Sequence, residues 1–449
     1  MNETKLHFDV VVVGLGKTGL SCVRYLSKQS LNIAVTDSRQ APPELTDFNN
    51  EFTSVPTYLG EISKDVLLAA DKVVLSPGVS LQEESIKQAI DSGVPVVGDI
   101  ELFCLQAKAP IIAVSGSNGK STVTTLVAEM INKAGLKTGV GGNLGTPALD
   151  LLNEPTPDVY VLELSSFQLE TTFSLNAHAS VVLNVSPDHM DRYASLEDYA
   201  GAKNKIYSGQ GLMVLNKDDD IVNTMADASR NSIGFSLGKP EGNDFGVIKE
   251  GEGVYLCHGQ EKIISQNEML IKGEHNIANA LAAMALVSSI NVSKSAIIET
   301  LKTFNGLEHR CQLVKTLNEV SWYNDSKATN VGACIASIKG LCDTGEIILI
   351  AGGDSKGADL SSLKPVVEQH VKKVLLLGVD AEKINDVIAP VVDCEFVSDI
   401  NDAVKIACEI AQSGDLILLA PACASLDMYK NYQERGDVFV NAVNALEAC

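Results

Sequence analysis

The stretch Val114-Ser-Gly-Ser-Asn-Gly-Lys-Ser-Thr122 decides how the middle of this 449-residue chain folds. An apolar run, Pro110–Val114, precedes it, and a helix-patterned stretch from Val123 to Lys133 follows it. A strand, a glycine-bearing turn, a Lys-Ser pair and a helix start together predict a phosphate-binding loop, because inward-turned backbone N–H groups and a helix N-terminus attract anions. The form is a shortened GxxGKS, since Val114 stands where the full motif has glycine.

The chemistry of this loop predicts a nucleoside triphosphate as its ligand. Lys120 is placed to neutralise oxygens of the β- and γ-phosphates, and the Ser121 hydroxyl to hold Mg²⁺. An ordinary polar strand-to-helix turn is the alternative. The predicted phosphate-binding residues are Gly116, Ser117, Asn118, Gly119, Lys120, Ser121 and Thr122.

Composition narrows the classes of protein to which the chain can belong. Its length allows about two to four domains, and β-branched apolar runs that alternate with helical patterns indicate α/β domains. Lys and Arg number 35 and Asp and Glu 57, a net charge of −22, which argues against nucleic acid as a partner. Ten scattered cysteines without a C-x-x-C pair, no leader and no apolar run near about 18 residues predict a cytoplasmic protein without a membrane span. We also expect a monomer.

A second motif opens the chain. The strand pattern Phe8–Val13 leads into Gly14-Leu-Gly-Lys-Thr-Gly19, and a later strand ends at Asp37. This order, a strand, GxGxxG, a helix and a second strand that ends in an acidic residue, is the dinucleotide-binding fingerprint of a Rossmann unit. It predicts a diphosphate at the helix N-terminus and a sugar hydroxyl near the acidic residue. Tight packing without any ligand is the alternative.

Two further α/β blocks follow. The second begins near Gly98 with the phosphate loop, and its residues 238–260 predict turns and short antiparallel strands. The third begins around Asn305, and its strands alternate with helical patterns as in a doubly wound sheet.

Polar residues at the ends of the second block's strands predict a reactive centre. In an open parallel sheet, ligands bind outside the carboxyl ends of the strands, where the phosphate loop, Glu163 and His189 all fall. Glu163 offers a hard oxygen ligand for Mg²⁺ beside Ser121, and His189 could hold a second ion or a phosphate. An exposed strand-end carboxylate and a surface histidine bonded to Asp188 or Asp191 are the alternatives.

Other polar residues are ambiguous from the sequence alone. Lys203 has the pattern of a solvated helix lysine. Asp325 and Lys327 directly follow a strand of the third block and would reach phosphate or Mg²⁺ if that block closes over the second. Arg310 could face phosphate or solvent, and Asn276 could bind an adenine edge or cap a helix.

Taken together, the motifs resemble those of the Mur ligases, ATP-dependent amino-acid-adding enzymes of peptidoglycan synthesis. The resemblance runs in order along the whole chain. Its motifs are GLGKTG at 14–19, SGSNGKST at 115–122, GGNLG at 141–145, ELSSFQLE at 163–170, DHMDRY at 188–193, GEHNIANAL at 273–281, HR at 309–310, NDSKATN at 324–330, GGDSKGAD at 352–359 and PACASLDMYKNYQERG at 421–436.

The resemblance implies a three-domain α/β protein. A Rossmann-like domain over residues 1–97 would bind the UDP moiety of the substrate. A central P-loop ATPase-type parallel sheet over residues 98–304 would bind ATP, and a doubly wound α/β domain over residues 305–449 the incoming amino acid. The implied substrates are UDP-N-acetylmuramoyl-L-alanine and D-glutamate.

Residue roles follow from the same resemblance. The implied UDP contacts are Lys17, Thr18, Asp37, Ser38, Arg39, Ser76, Pro77 and Gly78, and those around muramoyl-alanine are Asn143, Ser165 and Gln168. Lys120, Asn276, Arg310 and Asp325 match the ATP site, Ser121 and Glu163 the first Mg²⁺, and His189 with a carbamylated Lys203 the second. Residues matching positions near D-glutamate are Lys327, Thr329, Lys356, Ser425, Leu426 and Tyr432.

The implied reaction passes through an acyl phosphate, with Lys120, Mg²⁺ and Lys327 neutralising charge; no residue stands out as the base for the incoming amine. Three alternatives remain open at this point. The chain could be a ligase of the same superfamily that adds another amino acid or acts on folate. It could be a nicotinamide dehydrogenase that uses Gly14–Gly19 and Asp37, or a catalytically silent nucleotide-binding regulator.

Overall fold

The computed structural model describes residues 6–153, 155–251, 253–271, 273–342 and 345–447. Three α/β units follow one another along these residues, and each is built on its own sheet. The three-unit α/β architecture predicted from the sequence is confirmed.

The first unit is a parallel sheet with the strand order β3-β2-β1-β4-β5. The strand β1 consists of four buried valines, as expected for a strand covered on both faces. The chain forms the central strand β1 first, adds β2 and β3 on one side of it, and then adds β4 and β5 on the other side. This change of direction at β1 is typical of a Rossmann-like sheet. Its elements are β1 (Val10–Val13), α1 (Lys17–Ser27), β2 (Ile33–Asp37), α2 (Leu45–Glu51), β3 (Thr57–Leu59), α3 (Lys64–Leu68), β4 (Val73–Leu75), α4 (Glu84–Asp91) and β5 (Val96–Val97).

The glycine-rich turn after β1 needs its glycines for close packing. Gly14 has φ +89°, and a Cβ at Gly19 would lie 1.9 Å from the carbonyl oxygen of Gly14. A side chain at either position is therefore strained or excluded. The turn thus brings the start of α1 directly against the carboxyl end of β1.

The central unit begins with α5 (Asp99–Cys104) and has the sheet order β14-β13-β12-β11-β10-β9-β6-β8-β7. The strands from β7 to β12 are parallel, and β12, β13 and β14 are antiparallel, so the predicted antiparallel strands in 238–260 are confirmed. Its other elements are β6 (Ile111–Ser115), α6 (Lys120–Lys133), β7 (Thr138–Gly142), β8 (Val159–Glu163), α7 (Ser166–Glu170), β9 (Ala179–Val182), α8 (Leu196–Asn204), β10 (Leu212–Asn216), α9 (Asp220–Thr224), β11 (Ser232–Phe235), β12 (Phe245–Glu250), β13 (Gly253–His258), β14 (Glu261–Ser265), α10 (Glu274–Ser288) and α11 (Lys294–Thr303).

The third unit has the sheet order β15-β16-β20-β17-β18-β19, with an antiparallel edge strand β15 on an otherwise parallel sheet. Its elements are β15 (Gln312–Leu317), β16 (Val320–Asn324), α12 (Val331–Leu341), β17 (Ile347–Gly352), α13 (Leu363–His370), β18 (Val371–Leu377), α14 (Ala381–Ile388), β19 (Asp393–Phe396), α15 (Ile400–Ile410), β20 (Leu416–Leu419) and α16 (Tyr432–Asn444).

The apolar cores show how the units are joined. One cluster of buried side chains continues from the first unit into the central one and includes Leu20, Val23, Leu149 and Leu162. Within the described part of the chain, the two clusters that cover the faces of the third sheet draw on residues from 311 onward. The first two units therefore share a core, whereas the third has its own.

No helix among the described residues combines the length and the apolar composition that a bilayer crossing needs.

Candidate active site

A cleft of about 1300 Å³ lies between the central and third units, at the carboxyl ends of β6, β8 and β9. It brings together most of the residues predicted for the ATP, metal, muramoyl-alanine and amino-acid sites. Those that line it are Ser117, Asn118, Gly119, Lys120, Thr122, Asn143, Glu163, Ser165, His189, Lys203, Asn276, Arg310, Asp325, Lys327, Thr329, Lys356, Ser425, Leu426 and Tyr432.

The phosphate loop has the predicted strand–turn–helix form. β6 ends at Ser115, and α6 begins at Lys120 directly after Gly119, which has φ +84°. A Cβ at Gly119 would meet Asn279 Oδ1 at 2.4 Å, so the turn requires glycine. The Lys120 Nζ donates to the carbonyl oxygens of Gly116 and Ser117 at 2.8 and 2.9 Å, and burial lowers its pKa. The ammonium is therefore held within the curve of the loop.

Ser121 and Glu163 meet behind the loop. The Ser121 hydroxyl donates to Glu163 Oε2 at 2.5 Å, and the Asn143 amide donates to Oε1 at 2.6 Å. Burial alone would raise the pKa of Glu163, but the charge of Lys120, these two hydrogen bonds and the charge of Arg310 together lower it. The carboxylate is therefore ionised and offers hard oxygen atoms of the kind that Mg²⁺ prefers.

Arg310 connects the third unit to this group. Its Nη2 donates to the Ser121 Oγ at 2.6 Å across 189 positions of sequence. Arg310 lies two residues before β15, so the contact places a cation of the third unit at the phosphate loop of the central one.

Lys203 is buried, contrary to its solvated helix pattern. It lies on α8 with 1% of its surface exposed, donates to the Gly116 carbonyl at 3.0 Å, and has its Nζ 4.3 Å from the centroid of the Tyr199 ring. Burial, and then the positive charge of Lys120, lower its pKa well below the ordinary value. The alternative of an exposed surface lysine is therefore wrong, because the amine is buried in the cleft.

His189 follows β9 in a loop and has φ +59°. Its ring packs edge-on against Phe167, with ring centroids 4.7 Å apart. Burial lowers its pKa to about 4, in spite of the opposing charge of Asp188. The imidazole is thus neutral near pH 7, the form that can bind a metal ion.

Two titratable groups of the third unit follow β16 and reach into the cleft. Asp325 accepts a hydrogen bond from the Ser337 hydroxyl, and burial raises its pKa to about 6. The Lys327 Nζ lies 4.2 Å from the centroid of the Tyr432 ring. Burial, followed by the charges of Arg310 and Lys120, lowers the pKa of Lys327 to about 7.

Asp188 and Asn330 form a junction that the sequence analysis did not single out. Asp188 accepts from Lys356 Nζ and from the Asn330 amide, each at 3.2 Å, and Asn330 also donates to Asn118 Oδ1 at 3.1 Å. The sequence gives only weak signals for this junction: Asp188 adjoins His189, and Asn330 has the residue type of a helix cap. In the structure Asn330 does cap α12, by accepting from the Ala333 N–H. These bonds tie the third unit to the phosphate loop and to the loop after β9.

Three predicted residues of the central unit lie outside the cleft lining. Gly116 and Ser121 are in the second layer of the phosphate loop and contact the lining lysines and Glu163. Gln168 is 2% exposed, forms a capping box with Ser165, and donates to Asp99 Oδ2 at 3.2 Å. Its amide therefore faces the start of α5, away from the cleft.

The residues predicted to contact UDP gather separately, at the carboxyl edge of the first sheet. Asp37 accepts from the Leu15 N–H at 2.7 Å and from the Arg39 guanidinium at 2.8 and 2.7 Å. The Ser76 hydroxyl donates to the Gly14 carbonyl at 2.8 Å. The set lies at the start of α1 (Lys17, Thr18), at and after the end of β2 (Asp37, Ser38, Arg39) and after β4 (Ser76, Pro77, Gly78).

Comparisons with known protein families divide the chain into the same three units. Three family models match consecutive stretches: a Mur ligase MurD-like N-terminal domain at residues 8–98, a Mur ligase middle domain at 114–287, and a Mur ligase glutamate ligase domain at 309–423.

Curated relatives match nearly the whole chain. It is 46% identical over 439 residues to the UDP-N-acetylmuramoylalanine–D-glutamate ligase of Nitrosococcus oceani, covering 98% of this chain and 97% of the relative. The ligase with the same name from Methylococcus capsulatus is 48% identical over 438 residues, covering 97% of this chain and 95% of the relative.

Solved structures show the same fold at low identity. The UDP-N-acetylmuramate-alanine ligase MurC of Thermotoga maritima matches with a TM-score of 0.62 and 18% identity, covering 98% of this chain and 100% of that one. A pseudomurein peptide ligase type C of Methanothermus fervidus matches with a TM-score of 0.63 and 18% identity, covering 97% and 99%.

Proposed function

This chain belongs to the Mur ligase family, and we propose that it joins D-glutamate to UDP-N-acetylmuramoyl-L-alanine in peptidoglycan precursor synthesis. It is an ATP-dependent ligase, as the family is. The observation that carries the proposal is the group formed by Ser121, Glu163 and Arg310, which places a hard-oxygen pair and a cation at the phosphate loop.

The phosphate loop would bind the triphosphate of ATP. Lys120 lies within the loop and Arg310 at its edge, so both cations are close to where the β- and γ-phosphates would sit. The donor set fits Mg²⁺, since Ser121 and Glu163 present a hydroxyl and an ionised carboxylate 2.5 Å apart. When bound, Mg²⁺ would withdraw charge from the phosphate oxygens. ATP and Mg²⁺ are general requirements of the family.

The alanyl carboxylate would attack the γ-phosphorus of ATP, giving an acyl phosphate and ADP. The amine of D-glutamate would then attack the activated carbonyl carbon, and inorganic phosphate would leave with the bridging oxygen. The chain's part is to hold these groups in line and to balance their charge with Lys120 and Lys327. We assign no general base for the incoming amine.

The contacts between units would keep water away from the acyl phosphate. Arg310, Asn330 and Lys356 of the third unit bond to Ser121, Asn118 and Asp188 of the central one. These bonds draw the third unit over the cleft, and water excluded from it cannot hydrolyse the intermediate.

Lys203 and His189 would form a second metal site. Burial lowers the pKa of the Lys203 amine, which favours the unprotonated form that adds carbon dioxide and would become a carbamate with anionic oxygens. An anionic oxygen and a neutral imidazole suit a divalent cation beside a phosphate. The support for this proposal is the low pKa of both groups and their place in the same cleft.

Substrate would extend from the first unit to the third. The residues after β1, β2 and β4 would hold UDP, and Asn143 and Ser165 the muramoyl-alanine end; we retain Gln168 as a proposed contact, although its amide faces Asp99. Lys356 would pair with the side-chain carboxylate of D-glutamate. Its present partner is also a carboxylate, that of Asp188.

We further propose domain boundaries at 97/98 and 304/305, and a monomer that acts in the cytoplasm. The boundaries are supported by β5, which ends at Val97, and by α11, which ends at Thr303. A monomer is supported by a cleft whose walls both come from one chain.

The test is phosphate release with UDP-N-acetylmuramoyl-L-alanine, ATP and Mg²⁺ against a panel of amino acids, with reactions lacking each component as controls. D-Glutamate should support release and the other amino acids should not. Release with L-lysine or diaminopimelate but not with D-glutamate would contradict the assigned substrate. A nicotinamide dehydrogenase would release no phosphate in this assay.

A further inference from the structure

Arg192 of the central unit reaches across to the first unit. Its Nη1 donates to the carbonyl oxygen of Pro77 at 2.8 Å, and its Nη2 donates to that of Val79 at 3.0 Å. Both acceptors belong to the turn Ser76–Val79 after β4, which we call the diphosphate turn because Ser76, Pro77 and Gly78 are proposed UDP contacts. A planar guanidinium can serve two carbonyl groups at once, which an ammonium on a flexible stem cannot do with the same geometry.

The diphosphate turn is held from its other side by the first unit. The Val79 N–H donates to the Ser76 carbonyl at 3.0 Å, and the Ser76 hydroxyl donates to the Gly14 carbonyl at 2.8 Å. As far as the described residues extend, a Cβ at Gly16 or at Gly78 would meet no atom within 4 Å. The turn and the glycine-rich loop therefore border a free space of the kind a diphosphate needs.

Arg192 is itself fixed in place. Its guanidinium carbon lies 3.9 Å above the centroid of the Phe167 ring, its Nη2 is 3.3 Å from Glu170 Oε2, and its side chain is 13% exposed. An arginine that is stacked and paired in this way has little freedom to move. Two residues of α7 therefore fix the side chain that holds the diphosphate turn from the side of the central unit.

The loop that carries Arg192 also carries His189, whose imidazole lines the cleft. The Arg192 N–H donates to the His189 carbonyl at 2.9 Å, which closes a turn between them, and the rings of His189 and Phe167 lie 4.7 Å apart. Phe167 therefore contacts both the side chain that holds the diphosphate turn and the imidazole of the cleft.

We propose that Arg192 is a positioning residue that fixes the diphosphate turn relative to the cleft in which the alanyl carboxylate would be activated. The UDP-linked substrate must place its nucleotide in the first unit and its alanyl carboxylate in the cleft, and Arg192 sets the separation of these two sites. This inference rests on the proposed function. It differs from a role in attracting the diphosphate, because the guanidinium is occupied by carbonyl groups and by Glu170.

The test compares Arg192→Lys and Arg192→Ala with wild type by calorimetric titration of UDP-N-acetylmuramoyl-L-alanine and, separately, of a non-hydrolysable ATP analogue. Lys28→Ala is the matched control, since it removes one positive charge and a hydrogen bond to Asn153 between the same two units, at the far end of α1. Both Arg192 variants should bind the UDP-linked substrate at least about tenfold more weakly, since hydrogen bonds from a charged donor are lost. Their affinity for the ATP analogue should stay within about twofold, and Lys28→Ala should match wild type for both ligands.

Three results would overturn the inference: unchanged affinity of both variants for the UDP-linked substrate, wild-type affinity in Arg192→Lys alone, or an equal loss for the ATP analogue. The second would assign Arg192 a simple charge effect, and the third a general structural role. Failure of the wild-type protein to bind the UDP-linked substrate would instead refute the proposed function, and this inference with it.

Discussion

The side chains of Lys120 and Lys203 share one hydrogen-bond acceptor, the carbonyl oxygen of Gly116, at 2.8 and 3.0 Å. Both amines are buried, and the charge on Lys120 further lowers the pKa of Lys203. Two ammonium groups at one buried carbonyl repel each other, so a proton on one disfavours a proton on the other. The arrangement favours the neutral, nucleophilic form of Lys203 beside the phosphate loop.

We therefore predict that Lys203 carries a carbamate in the active protein. Wild-type protein equilibrated with ¹³C-bicarbonate should show a carbamate carbon resonance by NMR, and Lys203→Ala should lack it. The same variant should lose more than about 100-fold in turnover, because an anionic group beside the phosphates is gone. The variant should stay folded but have a lower thermal unfolding midpoint than wild type, since a buried side chain and its hydrogen bond to the Gly116 carbonyl are lost.

The matched control for this labelling is Lys205→Ala, which removes the neighbouring lysine that donates to the Glu170 carbonyl. It should retain both the resonance and the activity. An unlabelled, fully active wild-type protein would refute the carbamate.

Replacement of Glu163 by Gln should weaken the dependence of activity on Mg²⁺ without unfolding the protein. The amide keeps an oxygen for the Ser121 hydroxyl but loses the negative charge. The Mg²⁺ concentration for half-maximal activity should rise at least roughly 10- to 100-fold, which is the usual loss of metal affinity when a residue that only supports a metal ligand is replaced. A titration of activity against Mg²⁺ measures this. An unchanged midpoint would place the metal elsewhere.

The rate should depend on the protonation of Lys327. Its pKa of about 7 lies below the ordinary 10.5, so the folded free enzyme loses this proton near neutrality while the unfolded chain still holds it. If the ammonium neutralises phosphate, kcat/KM should fall as the pH rises through about 7, and folding stability should rise from about pH 7 to about pH 10.5.

Lys327→Arg is the diagnostic variant for this effect. A guanidinium stays charged throughout, so the fall in kcat/KM near pH 7 should disappear even if the maximal rate is lower. A pH profile with the same midpoint in both proteins would assign the titration to another group.

Lys356→Ala should impair the use of D-glutamate selectively. The pairing of Lys356 with Asp188 shows that its ammonium is placed to bind a carboxylate. Loss of this charge should raise the KM for D-glutamate by roughly 10- to 100-fold, while the KM values for ATP and the UDP-linked substrate change little. Steady-state kinetics with each substrate varied in turn would show this. A rise in all three KM values would indicate a purely structural contact.

The fold could be predicted from local patterns because each unit repeats strand, turn and helix within short stretches of sequence. The phosphate loop is an example: Gly119 and Lys120 determine its shape and its chemistry within a few residues. The burial of Lys203 could not be predicted in this way. Its helix has no strong apolar face, and its environment comes from Gly116, 87 positions away.

Contacts between units were also beyond the reach of local patterns. Asp188 meets Asn330 and Lys356 at separations of 142 and 168 residues, and these contacts depend on how the third unit is placed over the central one. Arg192 is similar, since its acceptors Pro77 and Val79 are main-chain carbonyls that carry no side-chain signal. The resemblance indicated that DHMDRY carries functional residues, but not which residue each side chain contacts.

The central claim is that a carboxylate is activated by phosphoryl transfer in the cleft at the phosphate loop. It is tested most directly by supplying UDP-N-acetylmuramoyl-L-alanine with both oxygens of its alanyl carboxylate labelled with ¹⁸O, together with ATP, Mg²⁺ and D-glutamate, and analysing the phosphate by mass spectrometry. An acyl phosphate predicts one ¹⁸O atom in each inorganic phosphate released. Phosphate without ¹⁸O, with peptide product formed, would contradict the account.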